Sequence, residues 1–132
     1  MRILLNLDVD DLDRALAFYI AAFGLTPARR FGDDVVELLG ADAPLYLLRK
    51  VAGSTGAGTT PRAYTRHWMP LHIDVVVDDL DVALAQALAA GAVQEGAIRD
   101  EAYGRIVQLA DPFGHGWCLL AFSARGYDAI AT

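Results

Sequence analysis

The chain has 132 residues, 11 Lys and Arg against 17 Asp and Glu, a formal net charge of −6 and an apolar content of 55%. That composition excludes a disordered chain, and no apolar run approaches the roughly 20 residues of a membrane span. The acidic balance argues against nucleic acid or a membrane surface as partner, since both recruit clustered Lys and Arg; the single cysteine, Cys118, forbids an intrachain disulfide and suits a cytoplasmic protein.

The Arg2–Leu5 run is too short for a signal peptide and is followed at once by Asn6 and three aspartates. Residues 3–9 alternate as a strand, with Leu5, Leu7 and Val9 on one side and Leu4, Asn6 and Asp8 on the other. A helix follows. Asp10 or Asp11 can cap it, and Asp13 would complete a capping box if Asp10 is the cap. Leu12, Ala15, Leu16, Tyr19 and Phe23 fall at helical spacing and predict its buried stripe, and Gly24 ends it. A short strand is expected near Arg29–Phe31. Two more are expected at Val35–Leu39 and Leu45–Leu48, divided by a turn that contains Gly40 and Pro44. Residues 52–66, rich in Gly, Ser and Thr, read as a flexible linker.

Beyond that stretch the pattern repeats. Val77-Asp78-Asp79-Leu80-Asp81 matches Val9-Asp10-Asp11-Leu12-Asp13, and each opens an alanine-rich helix, closed here by Gly91. Strands are expected at residues 72–77, 104–109 and 116–122, with a tight turn at Asp111-Pro112-Phe113-Gly114. The chain is therefore expected to be one domain, residues 1–132, made of two repeats (about 1–51 and 67–122) with a short tail, 123–132. Each half alone would be marginal in size.

The duplication separates the two faces of each sheet. Leu5, Leu7 and Val9, like Ile73, Val75 and Val77, belong beneath a helix. The opposite face then carries Asn6, Asp8, Glu37 and Tyr46 from the first repeat, and His72, Asp74, Gln108 and Cys118 from the second. Trp68 and Phe122 are expected to add apolar walls. Polar and titratable groups on one curved face point to a small-molecule site.

The two strand-Asp-Leu-Asp-helix openings, together with Leu109-Ala110-Asp111-Pro112-Phe113-Gly114-His115 before the last strand, resemble the vicinal oxygen chelate superfamily of glyoxalases, extradiol dioxygenases and bleomycin- and fosfomycin-resistance proteins. The resemblance implies an α+β fold: two βαβββ modules forming a cupped mixed sheet with helices on its convex side. It also implies a homodimer. In metal-using members the ligand positions correspond here to Leu4, Tyr46, His72 and Cys118, of which only His72 is an ordinary ligand, so a divalent cofactor is not expected.

Two functions follow from the resemblance. One is a metal-free binding protein similar to the bleomycin-resistance branch, in which Asp8, Glu37 and Asp74 attract a cationic ligand. The other is a lyase, isomerase or dioxygenase-like enzyme in which His72 or Glu37 moves a proton, with or without a metal at His72.

Overall fold

The computed structural model describes residues 1–132. Two helices and nine strands build two mixed sheets, one of four strands and one of five, both open. The fold is α+β, as the resemblance implied. The chain divides into two compact units, Met1–Thr65 and Arg66–Thr132. No helix is long and apolar enough to cross a membrane.

In the first unit, β1 (Leu5–Val9) leads into α1 (Leu12–Phe23), followed by β2 (Thr26–Phe31), β3 (Val35–Leu39) and β4 (Leu45–Arg49). The sheet order is β1-β4-β3-β2, with β1 parallel to β4 and the other neighbours antiparallel. Asp11, not Asp10, caps α1: its carboxylate accepts the Arg14 N–H at 3.0 Å, a contact typically worth about 1 kcal/mol. Asp13 consequently lies in the first turn, where its charge suits the helix dipole, and takes no part in a capping box.

The buried stripe of α1 is Leu12, Ala15, Phe18, Tyr19 and Ala22, whereas Leu16 and Phe23 are half-buried. Leu12, Ala15 and Tyr19 are where the spacing puts them, and Phe18 and Ala22 replace Leu16 and Phe23, which turns the stripe part of the way round the helix. The small ones, Ala15 and Ala22, sit at the centre of the contact and let the helix approach the sheet. Beneath it lie Leu7, Val9, Val36, Leu38 and Leu47, each nearly inaccessible to solvent. Burying each such side chain stabilises the fold by about 1.5–3 kcal/mol.

Residues 52–65 do not form the loose linker that their composition suggested. The Gly53 N–H donates to the Arg62 carbonyl and the Arg62 N–H to that of Ser54, both at 2.8 Å, around a Thr55–Pro61 bridge. The Tyr64 hydroxyl ties this hairpin to the Lys50 carbonyl at 2.7 Å. Gly, Ser and Pro composition is common to linkers and tight hairpins, and only the pairing separates them.

The second unit runs β5 (Ile73–Val76), α2 (Leu80–Ala90), β6 (Val93–Gln94), β7 (Arg99–Glu101), β8 (Gly104–Ala110) and β9 (Gly116–Phe122). Its order is β5-β9-β8-β6, with β7 also paired to β8. Asp79 caps α2 as Asp11 caps α1, accepting the Val82 N–H at 3.0 Å. β6 and β7 escaped the sequence reading. Both are short and exposed, β7 consists of charged residues alone, and Gly96 lies between them, so no apolar alternation marks them. At Gly104, where φ is +152°, a Cβ would overlap the Ala121 carbonyl and come within 2.9 Å of the Phe122 Cα. Only glycine lets β8 begin so close to β9.

The Asp111–Gly114 turn is held by one buried carboxylate. Asp111 accepts the N–H groups of Phe113 at 2.8 Å and His115 at 3.0 Å, and the indole N–H of Trp117 at 3.0 Å; its other contact is His115 Nδ1 at 2.8 Å. The tail is docked through a 3-10 turn, Gly126–Ala129, whose Tyr127 ring stands edge-on to Phe122 and 5.4 Å from Tyr103.

Candidate functional site

Strand register decides which side chains share the open face of the first sheet. Asn6 pairs with Tyr46 and Tyr46 with Glu37, while Asp8 pairs with Leu48 and Leu48 with Val35. Alternation puts all of these opposite Leu7, Leu47 and Val36, which pack under α1. The expected residues therefore do lie on one face.

Their partners are not what the sequence suggested. Glu37 is only 4% exposed. It accepts two hydrogen bonds from Arg29, Nε at 2.7 Å and Nη2 at 2.5 Å, and one from the Tyr46 hydroxyl at 2.7 Å. Those donors, Arg29 foremost, hold its carboxyl down at about 2 against an ordinary 4.5. The same carboxylate raises the pKa of Tyr46. An anion so heavily stabilised is a weak base. Asp8 is likewise paired, with Arg62 Nε at 2.6 Å, and Arg62 is fixed further by Ser54 Oγ and the Thr55 carbonyl. Two of the carboxylates expected to draw a cation, Glu37 and Asp8, thus arrive with an arginine of their own; the third, Asp74, has His72 beside it.

In the second sheet the row across β5, β9 and β8 is Asp74, Cys118 and Gln108. His72 immediately precedes β5, exposed, with Nε2 3.4 Å from Asp74 Oδ1. Trp68, 81% exposed, overhangs a hollow of ≈ 130 Å³ that His72, Gln108 and Cys118 help to line. One wall is the Arg66–Glu95 ion pair at 3.0 Å. Arg66 also lies against Gly116, where a Cβ would come within 2.7 Å of its Nη2. Phe122 is not part of this hollow; it sits at the other end of β9 in the Tyr103–Tyr127 cluster.

Cys118 is buried with Ile106 and Leu120, and Tyr103 packs against them. Burial, then the Asp74 carboxylate, pushes its thiol up to about 11, so it is protonated at neutral pH. Ligand atoms of His72, Asp74 and Cys118 lie within 4.8 Å of one another. This donor set does not suit a hard, oxygen-seeking ion, but suits a soft one if Cys118 gives up its proton. Tyr46, where the resemblance implied another ligand position, donates its hydroxyl proton to Glu37.

Arg29, Arg62, Arg66 and Glu95 were missing from the sequence reading. Arg29 stands eight residues from Glu37 across a strand pair with a register shift between Pro27 and Arg30. Counting alternation through that shift misplaces it. Arg62 meets Asp8 across 54 positions of sequence, and no local pattern announces such a pair.

A family model described as a glyoxalase-like domain matches residues 4–120. An uncharacterised protein of Mycobacterium bovis is 32% identical over 128 residues, covering 86% of this chain and 78% of its own length. The anthracycline biosynthesis protein DauV of Streptomyces sp. is 31% identical over 128 residues, covering 96% of this chain and 42% of DauV. Among solved structures, the fosfomycin resistance protein FosX of Listeria monocytogenes superposes with a TM-score of 0.72 at 17% identity, covering 95% of each chain. At that identity the likeness speaks for the fold alone. The helix–sheet plan of each unit, the capped strand-to-helix openings and a family match spanning nearly the whole chain lead to one conclusion: the protein belongs to the glyoxalase-like family of the vicinal oxygen chelate superfamily.

Proposed function

We propose that this protein binds a small oxygenated molecule with an aromatic part, without a metal, and acts by holding it. The observation that carries this reading is the hollow in the second unit, with Trp68 at its edge and His72, Gln108 and the protonated Cys118 thiol within. An exposed indole beside a few polar groups is the composition of a ligand site, since the ring supplies area and the polar groups orientation. At ≈ 130 Å³ the hollow has room for the end group of a ligand. The similarity to an anthracycline biosynthesis protein supports polycyclic, oxygen-rich aromatics as the class to try first.

The test is titration with an anthracycline and with a simple hydroxyquinone, followed by calorimetry and by tryptophan fluorescence. Saturable binding is expected, weakened in Gln108→Ala and in Trp68→Ala. Heats of dilution alone with both compounds would overturn the reading.

A second reading, an enzyme using a soft divalent ion at His72, is supported by the approach of His72, Asp74 and Cys118. Cobalt(II) separates the two. A thiolate-to-metal absorption band that Cys118→Ser removes, with thermal stabilisation that His72→Ala removes, would install the enzyme reading in place of the first.

A further inference from the structure

We propose that the open face of the first sheet is an oxyanion site, centred on Arg29, that takes the carboxylate or phosphonate of a planar ligand. The placement of charge on this face argues for it. Glu37 is the buried partner, with a side chain 5% exposed, whereas the Arg29 side chain is 66% exposed. Three hydrogen bonds converge on the buried carboxylate, two from Arg29 and one from Tyr46. If stability were the only role, this would be a poor use of the position. A buried carboxylate carries a desolvation cost that two packed apolar side chains would avoid, and a partner as exposed as Arg29 returns little of it. What the arrangement does accomplish is orientation: it fixes a guanidinium that would otherwise be mobile.

The bonds made also determine the bonds left over. Glu37 occupies the Nε/Nη2 edge of Arg29, and Nη2 has only a long contact, 3.4 Å, to the Tyr46 hydroxyl. Nη1 makes no hydrogen bond to the protein. The Nη1/Nη2 edge is thus presented for a second oxyanion, and a planar fork of this kind binds carboxylates and phosphonates through two parallel hydrogen bonds. The surroundings suit a flat ligand. The Phe31 ring lies 5.5 Å from the Arg29 guanidinium carbon and 6.3 Å from the Tyr46 ring, and both rings are part-exposed. Asn6, exposed, pairs with Tyr46 on the neighbouring strand and adds a neutral donor to the same row. The formal charge of the whole chain is −6, but most of that charge is screened within about 8–10 Å in physiological salt, whereas Arg29 would touch its ligand. Asp8, the other carboxylate of this face, is neutralised by Arg62.

The proposal stands apart from the hollow of the second unit, and its readout is separate. The probes are benzoate, phenylphosphonate and benzylamine, titrated while the Arg29 side-chain Nε resonance is followed by NMR. Benzoate or phenylphosphonate should shift that resonance saturably, the stronger of the two distinguishing a carboxylate from a phosphonate ligand, and benzylamine should leave it in place. Arg29→Lys keeps the charge beside Glu37 but removes the fork; followed through the backbone amide resonances of Phe31 and Tyr46, which parent and variant share, it should bind the better probe about tenfold more weakly, the value of one hydrogen bond to a charged group. Glu37→Gln with Tyr46→Phe should weaken it as well, because the guanidinium is then no longer held. Three results would overturn the proposal: benzylamine binding in preference to both anions, neither anion shifting the resonance, or Arg29→Lys binding the anion as tightly as the parent. None of these depends on tryptophan fluorescence, so failure here and failure of the second-unit site are told apart.

Discussion

Replacing Asp111 tests how far one buried carboxylate holds the strand that carries Cys118. Its side chain has no solvent exposure and accepts hydrogen bonds from the backbone of Phe113 and His115 and from the Trp117 indole. Asp111→Ala removes the carboxylate that accepts from at least two buried donors, the Phe113 N–H and the Trp117 Nε1–H. The imidazole of His115 is near enough to the surface to find water. Each buried hydrogen bond to a charged group lost in this way costs about 1–3 kcal/mol, so the substitution should destabilise the protein by about 3–5 kcal/mol. For a chain of this length that is a fall in Tm of about 10–20 °C. Asp111→Asn keeps the oxygen that serves the turn but sets an amide N–H against the Trp117 N–H, and should cost about half as much. Urea unfolding followed by circular dichroism measures both variants. The reasoning is refuted if Asp111→Ala costs under about 1 kcal/mol, or if the asparagine is more harmful than the alanine.

Three further outcomes are expected. Gly104→Ala forces a Cβ against the Ala121 carbonyl and should destabilise by more than about 3 kcal/mol in the same assay; a wild-type midpoint would mean that β8 can begin elsewhere. Glu37 has a depressed pKa, so its contribution to stability is complete above the ordinary glutamate value of 4.5 and is lost as pH falls towards about 2. A Tm profile between those limits should flatten in Glu37→Gln, and an unchanged profile would remove the electrostatic role assigned to Arg29. The raised pKa of Cys118 has the opposite sense: its contribution is complete below 9.0 and lost as pH rises to about 11. Iodoacetamide should accordingly react slowly at neutral pH and much faster as pH approaches 11, and rapid alkylation at pH 7 would contradict a buried, protonated thiol.

The sequence by itself determined the duplicated plan, both helices and their glycine ends, and which residues share each open face. These features are periodic and local. A strand alternates every second residue, a helix repeats at its own pitch, and a capping aspartate acts on a backbone N–H three residues away. Thus alternation alone groups Asn6, Glu37 and Tyr46, and likewise Asp74, Gln108 and Cys118, and the strand register bears the grouping out. Only the tertiary structure decided what those residues are. It set Arg29 on Glu37 and Arg62 on Asp8, turned an expected linker into a hairpin, and placed Phe122 with Tyr127 instead of in the hollow. The two ion pairs join positions across a long stretch of chain or a shifted register, and the hairpin and the ring contact depend on which backbone groups and rings meet. No spacing within a single strand or helix encodes that choice.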